Sequence, residues 1–259
     1  EQEMNARYLA RSGLGAWARA LDREVLDAFL SRVGRYEAMH RAASQLVATY
    51  QAPLLSHAQL EPMNSTAWHR DGGMEIWAPT QQQADLRADI AKVLGMPEDR
   101  VTVHTPYVGG GFGRRLKNDY GVEAALIAMQ SKYPVQVLWS REEDFLRGFF
   151  RPAAVARLQA GFDVNGKILA LNVHVASLGS KPRLGGLGRQ PYLIEAKALH
   201  YAGLPSAIRA GSWRSVDMSQ NAFFLESFLD ECAYHGRRDP LELRLELLKA
   251  NARDRRVLE

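Results

Sequence analysis

The chain has 259 residues, 46% hydrophobic and 24% charged, an ordinary globular composition with enough apolar residues for one large core or two intertwined smaller ones. Its net charge of +4 comes mostly from scattered arginines with no dense basic stripe, which argues against nucleic-acid binding and suits an anionic small molecule. Cys232 is the single cysteine, which excludes an internal disulfide, a Cys-based zinc site and an iron–sulfur cluster held by this chain alone; no apolar run approaches the roughly 18 residues of a membrane span.

Residues 1–36 read as a helical segment, with Leu21, Val25, Phe29 and Leu30 on one face. Met39, Ala42, Ala43 and Leu46 suggest a second helical face, and residues 46–50 then favour a strand before Pro53. Residues 57–64 read as a compact polar loop and 74–78 as a strand by alternation. Thr80 and Gln83 make a capping-box pattern for a helix through Leu86, Ile90, Val93 and Leu94, which Gly95 and Pro97 stop. Val101–His104 alternates like a strand, and Asp119 is a candidate cap for a helix carrying Val122, Ala125, Leu126 and Met129.

Further on, 135–139 reads as a strand, and 153–162 and 167–176 flank Asn165-Gly166, the strongest hairpin signal in the sequence. Residues 177–205, rich in Gly, Pro and Arg, lack clear periodicity and read as a long connection. Two terminal helices follow; one encloses Cys232, and Asp239-Pro240-Leu241-Glu242 opens the other with a cap and a first-turn proline. The mixture favours an α+β fold. It divides serially into residues 1–36, a subdomain over 37–176 with a glycine loop, the connection 177–205, and a final segment 206–259. Both ends read as cuts in a longer polypeptide.

Between the strand at 101–104 and the next helix lies Gly109-Gly110-Gly111-Phe112-Gly113-Arg114-Arg115. Glycine lets a backbone approach a neighbour closely, and arginine offers a planar fork for phosphate or carboxylate. The order strand, glycine loop, helix is one that aims free N–H groups at an anion. A Rossmann fingerprint would need glycine at position 114, and a Walker A loop would need Gly-Lys-Ser/Thr, which is absent. An ordinary surface loop is the competing reading.

Four stretches in order resemble one family: His57-Ala58-Gln59-Leu60-Glu61-Pro62, Pro79-Thr80-Gln81, Gly109 to Gly113, and Trp213-Arg214-Ser215 through Gln220. The set is similar to the molybdenum-binding subunit of the xanthine dehydrogenase and aldehyde oxidase family. The double arginine and the Trp-Arg-Ser form resemble its isoquinoline 1-oxidoreductase β-subunit branch, which includes bacterial membrane-linked aldehyde dehydrogenases. The resemblance implies a molybdopterin cofactor, commonly the cytosine dinucleotide form, with molybdenum bound without a direct protein ligand. It implies hydroxylation of an electron-poor carbon with oxygen from water, and transfer of electrons to a partner [2Fe-2S] subunit. The substrate is then an N-heterocycle or an aldehyde, in a bacterial cytoplasm or periplasm.

Carried over residue by residue, Gln81 approaches the apical molybdenum ligand with its amide, and Gly110, Gly111, Phe112 and Gly113 lie against the metal and pterin. Gln81 in a capped first turn is the plainer alternative. Phe112, Leu116 and Trp213 line the substrate pocket, with Phe112 alternatively pinning the loop to the core. Arg114 and Arg115 depart from the xanthine dehydrogenase pattern, and Leu116 replaces its substrate-contacting glutamate. That departure points away from purines; the arginines face either the cofactor's pyrophosphate or solvent. Arg214 and Gln220 match the second cofactor-facing segment, with a solvated or structurally paired Arg214 as the alternative, while His57 and Glu61 brace a turn and His104 and Glu226 are structural. The family's general-base glutamate lies further downstream, so no catalytic residue is assigned and the piece alone is expected not to turn over. A non-enzymatic anion- or nucleotide-binding module is the alternative function.

Overall fold

The computed structural model describes residues 37–179 and 181–259; the helix read over 1–36 lies outside them. The described part is α+β, as the sequence implies. It forms two compact units interleaved along the chain, whereas the sequence reading is serial. The first gathers the described residues up to Ala52 with Ala154–Leu204 and Gln220–Glu259; the second comprises Pro53–Ala153 and Pro205–Ser219.

The first unit is built on a sheet of β1 (Ser44–Ala52), β8 (Ala154–Phe162), β9 (Ile168–Leu178) and β10 (Ala196–Leu204), in the order β1-β8-β9-β10. β8 and β9 form the expected hairpin, and Asp163 Oδ1 closes its turn by accepting the N–H groups of Asn165 and Lys167. Strand alternation buries Ala156, Leu158, Ala160 and Phe162 against Phe224, Leu225, Phe228 and Leu229 of α4 (Met218–His235). Asp239 caps α5 (Pro240–Leu247) through the Leu241 and Glu242 N–H groups, as its sequence implies. α6 (Ala252–Leu258) ends the chain's described structure. The 177–205 connection is partly a strand: β10 pairs in parallel with β9, and Leu187, Tyr192 and Ile194 are buried in the core. β10 escapes detection because most of its side chains are only half-buried, leaving no sharp alternation.

The second unit has a sheet ordered β5-β4-β3-β6, from β3 (Asn64–Arg70), β4 (Gly73–Trp77), β5 (Val101–His104) and β6 (Val135–Leu138). α1 (Gln83–Leu94) carries the chain from β4 to its parallel neighbour β5, and α2 (Asp119–Ala128) joins β5 to β6. Leu86, Ile90, Tyr120, Ala124 and Ala128 bury against Met63, Ala67, Met74 and Ile76. Leu126, read as a face residue, is exposed. A small pair, β2 (Leu55–Ser56) with β7 (Phe150–Arg151), follows α3 (Arg141–Arg147). The Ser140 hydroxyl accepts the Glu143 N–H and starts α3, a Ser-x-x-Glu signal that the sequence reading missed.

Two caps need correction. α1 starts at Gln83 with Gln82 before it and no side-chain cap; the Thr80 hydroxyl instead accepts the Gln82 N–H. α2 starts at Asp119, whose carboxylate is taken by Arg114 rather than by backbone N–H groups. In both places a nearby side-chain or turn partner outcompetes the cap.

Candidate functional site

All members of the glycine-loop site except Gln220 belong to the second unit. The loop leaves β5 with residues 105–109 and Phe112 exposed, and Gly111 and Gly113 buried. It does not run straight into α2: a short 3-10 turn, Arg114–Leu116, and two further residues intervene. The free N–H groups of the helix start are therefore not those of the glycine run.

The inner side of the loop is fastened at every peptide. Glu61 N–H donates to Gly109 O at 3.1 Å, and Glu61 Oε2 accepts the Gly109 N–H at 2.8 Å. Arg115 Nε donates to Gly110 O at 2.9 Å, and Arg114 N–H donates to Gly111 O at 2.8 Å. The Gln81 amide oxygen accepts the Gly113 N–H at 3.0 Å. Gly113 has φ +98°, and a Cβ there would overlap Ser212 O, so only glycine suits the position. This contact sets the glycine loop against the Ser212-Trp213-Arg214 segment. Trp213 is half-buried, with its indole N–H 3.4 Å from Ser56 O.

The double arginine is not on the surface, as one reading expected: Arg114 is 1% and Arg115 0% exposed. Burial is tolerable because each charge meets a carboxylate and hydrogen-bond acceptors. Arg114 grips Asp119 with two bonds of 2.8 and 2.9 Å, and packs beside Trp139 and Phe149. Arg115 reaches Pro79 O, Glu61 O and Glu61 Oε2, besides Gly110 O. Leu116 follows in the same turn and is half-buried.

His57 is buried with both ring nitrogens on carbonyl oxygens, Nδ1 at 3.0 Å from Phe149 O and Nε2 at 2.7 Å from Ser212 O. Burial pulls it below the ordinary imidazole range, against the pull of the two carbonyls. It braces the segment that carries Arg214. Glu61, with Asn64 on Oε1 and Gly109 and Arg115 on Oε2, is likewise a brace.

On the open side of the loop three sets of donors have no hydrogen-bond partner among the described residues: the Gln81 amide nitrogen, the Gly110, Gly111 and Phe112 N–H groups, and the exposed Arg214 guanidinium. Phe112 has φ +52° and is exposed, so its ring faces out beside them rather than pinning the core. Gln220, read as a cofactor contact, belongs to the first unit, where it is buried. The described residues hold no cluster of three or more metal-ligating side chains.

Residues 23–248 match the family model of the molybdopterin cofactor-binding domain. The chain belongs to this family. Among its relatives, it is 32% identical over 80% of its length to the membrane-bound aldehyde dehydrogenase [pyrroloquinoline-quinone] of Gluconacetobacter polyoxogenes. It is 31% identical over 80% of its length to the isoquinoline 1-oxidoreductase β subunit of Brevundimonas diminuta. The chain covers 30% and 29% of those two proteins, so it spans less than a third of either. Quinoline 2-oxidoreductase from Pseudomonas putida 86 has a similar fold, with a TM-score of 0.75 at 19% identity over 81% of this chain and 29% of that one.

The residues present fit such a cofactor. Molybdopterin is anionic and rich in oxygen, and the three sets on the open side of the loop are hydrogen-bond donors. Successive backbone N–H groups and an unpaired guanidinium suit an anion, and no unpaired carboxylate stands among them.

Proposed function

We propose that the chain is part of a molybdopterin-dependent oxidoreductase subunit that oxidises an aldehyde or an N-heterocycle, using water-derived oxygen. Electrons would pass to a [2Fe-2S] partner. The observation that carries this reading is the fixed Gln81 amide beside three unengaged N–H groups, in a domain of the molybdopterin-binding family.

When bound, the cofactor supplies a two-electron redox centre beside the substrate carbon. Gln81 would donate its amide N–H toward an oxygen at that centre, stabilising charge without itself changing protonation. The Gly110, Gly111 and Phe112 N–H groups would hold the cofactor's oxygens, and Arg214 its negative charge. Phe112, Leu116 and Trp213 would form the apolar substrate wall. Leu116 offers no carboxylate to a purine, which favours the aldehyde or heterocycle. The carboxylates at the loop are all committed, Glu61 to Arg115 and Asp119 to Arg114, so none is free to act as general base.

The full-length protein in its native complex should oxidise isoquinoline-like rings or simple aldehydes with an artificial electron acceptor, incorporating labelled oxygen from water. Acid treatment should release cytidine monophosphate from a dinucleotide cofactor. Failure on both substrate classes with a loaded cofactor would refute the substrate assignment.

A further inference from the structure

We propose that Arg115 and Glu61 are the positioning pair of the cofactor cradle. They hold the glycine-loop carbonyls inward, so that the N–H groups of Gly110, Gly111 and Phe112 face the ligand. The inference rests on the molybdopterin reading above and deepens it.

No cis peptide occurs among the described residues, and in a trans peptide C=O and the following N–H point in opposite directions. Gly109 O is held by the Glu61 N–H, Gly110 O by Arg115 Nε and Gly111 O by the Arg114 N–H. Each capture turns the N–H of the next residue away from the protein. Those three N–H groups, on Gly110, Gly111 and Phe112, are the ones without a partner among the described residues. Positive φ at Gly110 (+100°) and Phe112 (+52°) is the backbone signature of a concave run of N–H groups.

Arg115 is suited to this because its donors diverge from one planar group. Nε holds Gly110 O, Nη1 holds Pro79 O at 3.1 Å, and Nη2 holds Glu61 O at 2.9 Å and Glu61 Oε2 at 2.8 Å. The Arg115 carbonyl in turn accepts the Gln81 N–H at 3.1 Å. One side chain thus ties together the glycine loop, the Glu61 turn and the segment ending in Gln81. A lysine carries the same charge as a single point and cannot span these acceptors. Glu61 completes the lock by neutralising the buried guanidinium and accepting the Gly109 N–H.

The test uses the full-length protein in its native complex, with Arg115→Lys and, since a buried change can impair folding, Glu61→Gln at a side chain that is one-third exposed. Molybdenum and pterin per subunit are measured with thermal unfolding and with hydrogen exchange at residues 110–112. The expected result is a roughly tenfold loss of bound cofactor in both variants, the order seen when supporting contacts around a bound centre are removed. Exchange protection at 110–112 should be lost with it, while Arg115→Lys keeps cooperative unfolding. Full cofactor content and unchanged protection in either folded variant would overturn the positioning role while leaving the function intact. A wild-type protein without molybdenum or pterin would overturn the function itself, and this inference with it.

Discussion

The Gln81 side-chain oxygen accepts the Gly113 N–H at 3.0 Å, which decides how the whole amide points. The same bond fixes the assignment of oxygen and nitrogen, because only the oxygen can accept. The amide nitrogen is therefore left as a donor with no partner among the described residues. Gln81→Glu keeps an acceptor for Gly113 and removes the donor. It should lower kcat about 100-fold, the order seen for a lost transition-state donor, with little change in stability. Steady-state kinetics of the native complex, alongside its unfolding midpoint, checks this.

Gly111 and Gly113 should separate stability from function. A Cβ at Gly113 overlaps Ser212 O in a backbone with φ +98°, so Gly113→Ala should cost about 2–3 kcal/mol. A Cβ at Gly111 meets the flexible Gln81 side chain, its amide oxygen at 2.5 Å and Cδ at 2.8 Å, rather than backbone. Gly111→Ala should cost about 1 kcal/mol or less and displace Gln81, reproducing the kinetic loss of Gln81→Glu. Denaturant unfolding of both variants, with the kinetics of the second, tests the pair.

His57 should make stability depend on pH. Burial holds its folded value below the ordinary 6.5, so the unfolded chain binds more protons as pH falls. Its contribution is fully present above about pH 6.5 and is lost as pH falls from there through the folded value. His57→Gln should flatten that part of the pH–stability curve relative to wild type. His174 is lowered in the same direction, by burial and by its neighbour His200, so the comparison must be a difference between the two proteins.

Cys232 should be inert in the native state. It is 1% exposed inside α4, and burial pushes its thiol up to about 12. The nucleophilic thiolate is then both scarce and inaccessible. Labelling with a thiol reagent at pH 8, read by mass at this residue, should occur only after denaturation.

Much of the fold was legible because its signals are local. Gly95 ends α1 in a left-handed conformation, Asp239 caps α5, and Asn165-Gly166 turns the β8–β9 hairpin. β10 was missed because its strand character comes from β9, a parallel partner distant in sequence, whereas β3 is joined to β4 by the tight Asp71-Gly72 turn, a local hairpin signal that was overlooked. The glycine loop, Gln81 and Trp213-Arg214 were recognisable as a set, and the Gly113–Ser212 contact joins them in space. The fate of the double arginine was not legible. A sequence does not say which of two adjacent charges finds Asp119 and which finds Glu61, and unpaired arginines belong at the surface by default.

The most direct test of the central claim is metal and pterin analysis of the full-length protein purified in its native complex. About one molybdenum and one molybdopterin per subunit is the expected result, with both lowered when Arg214 is changed to alanine. An active complex containing neither would contradict it.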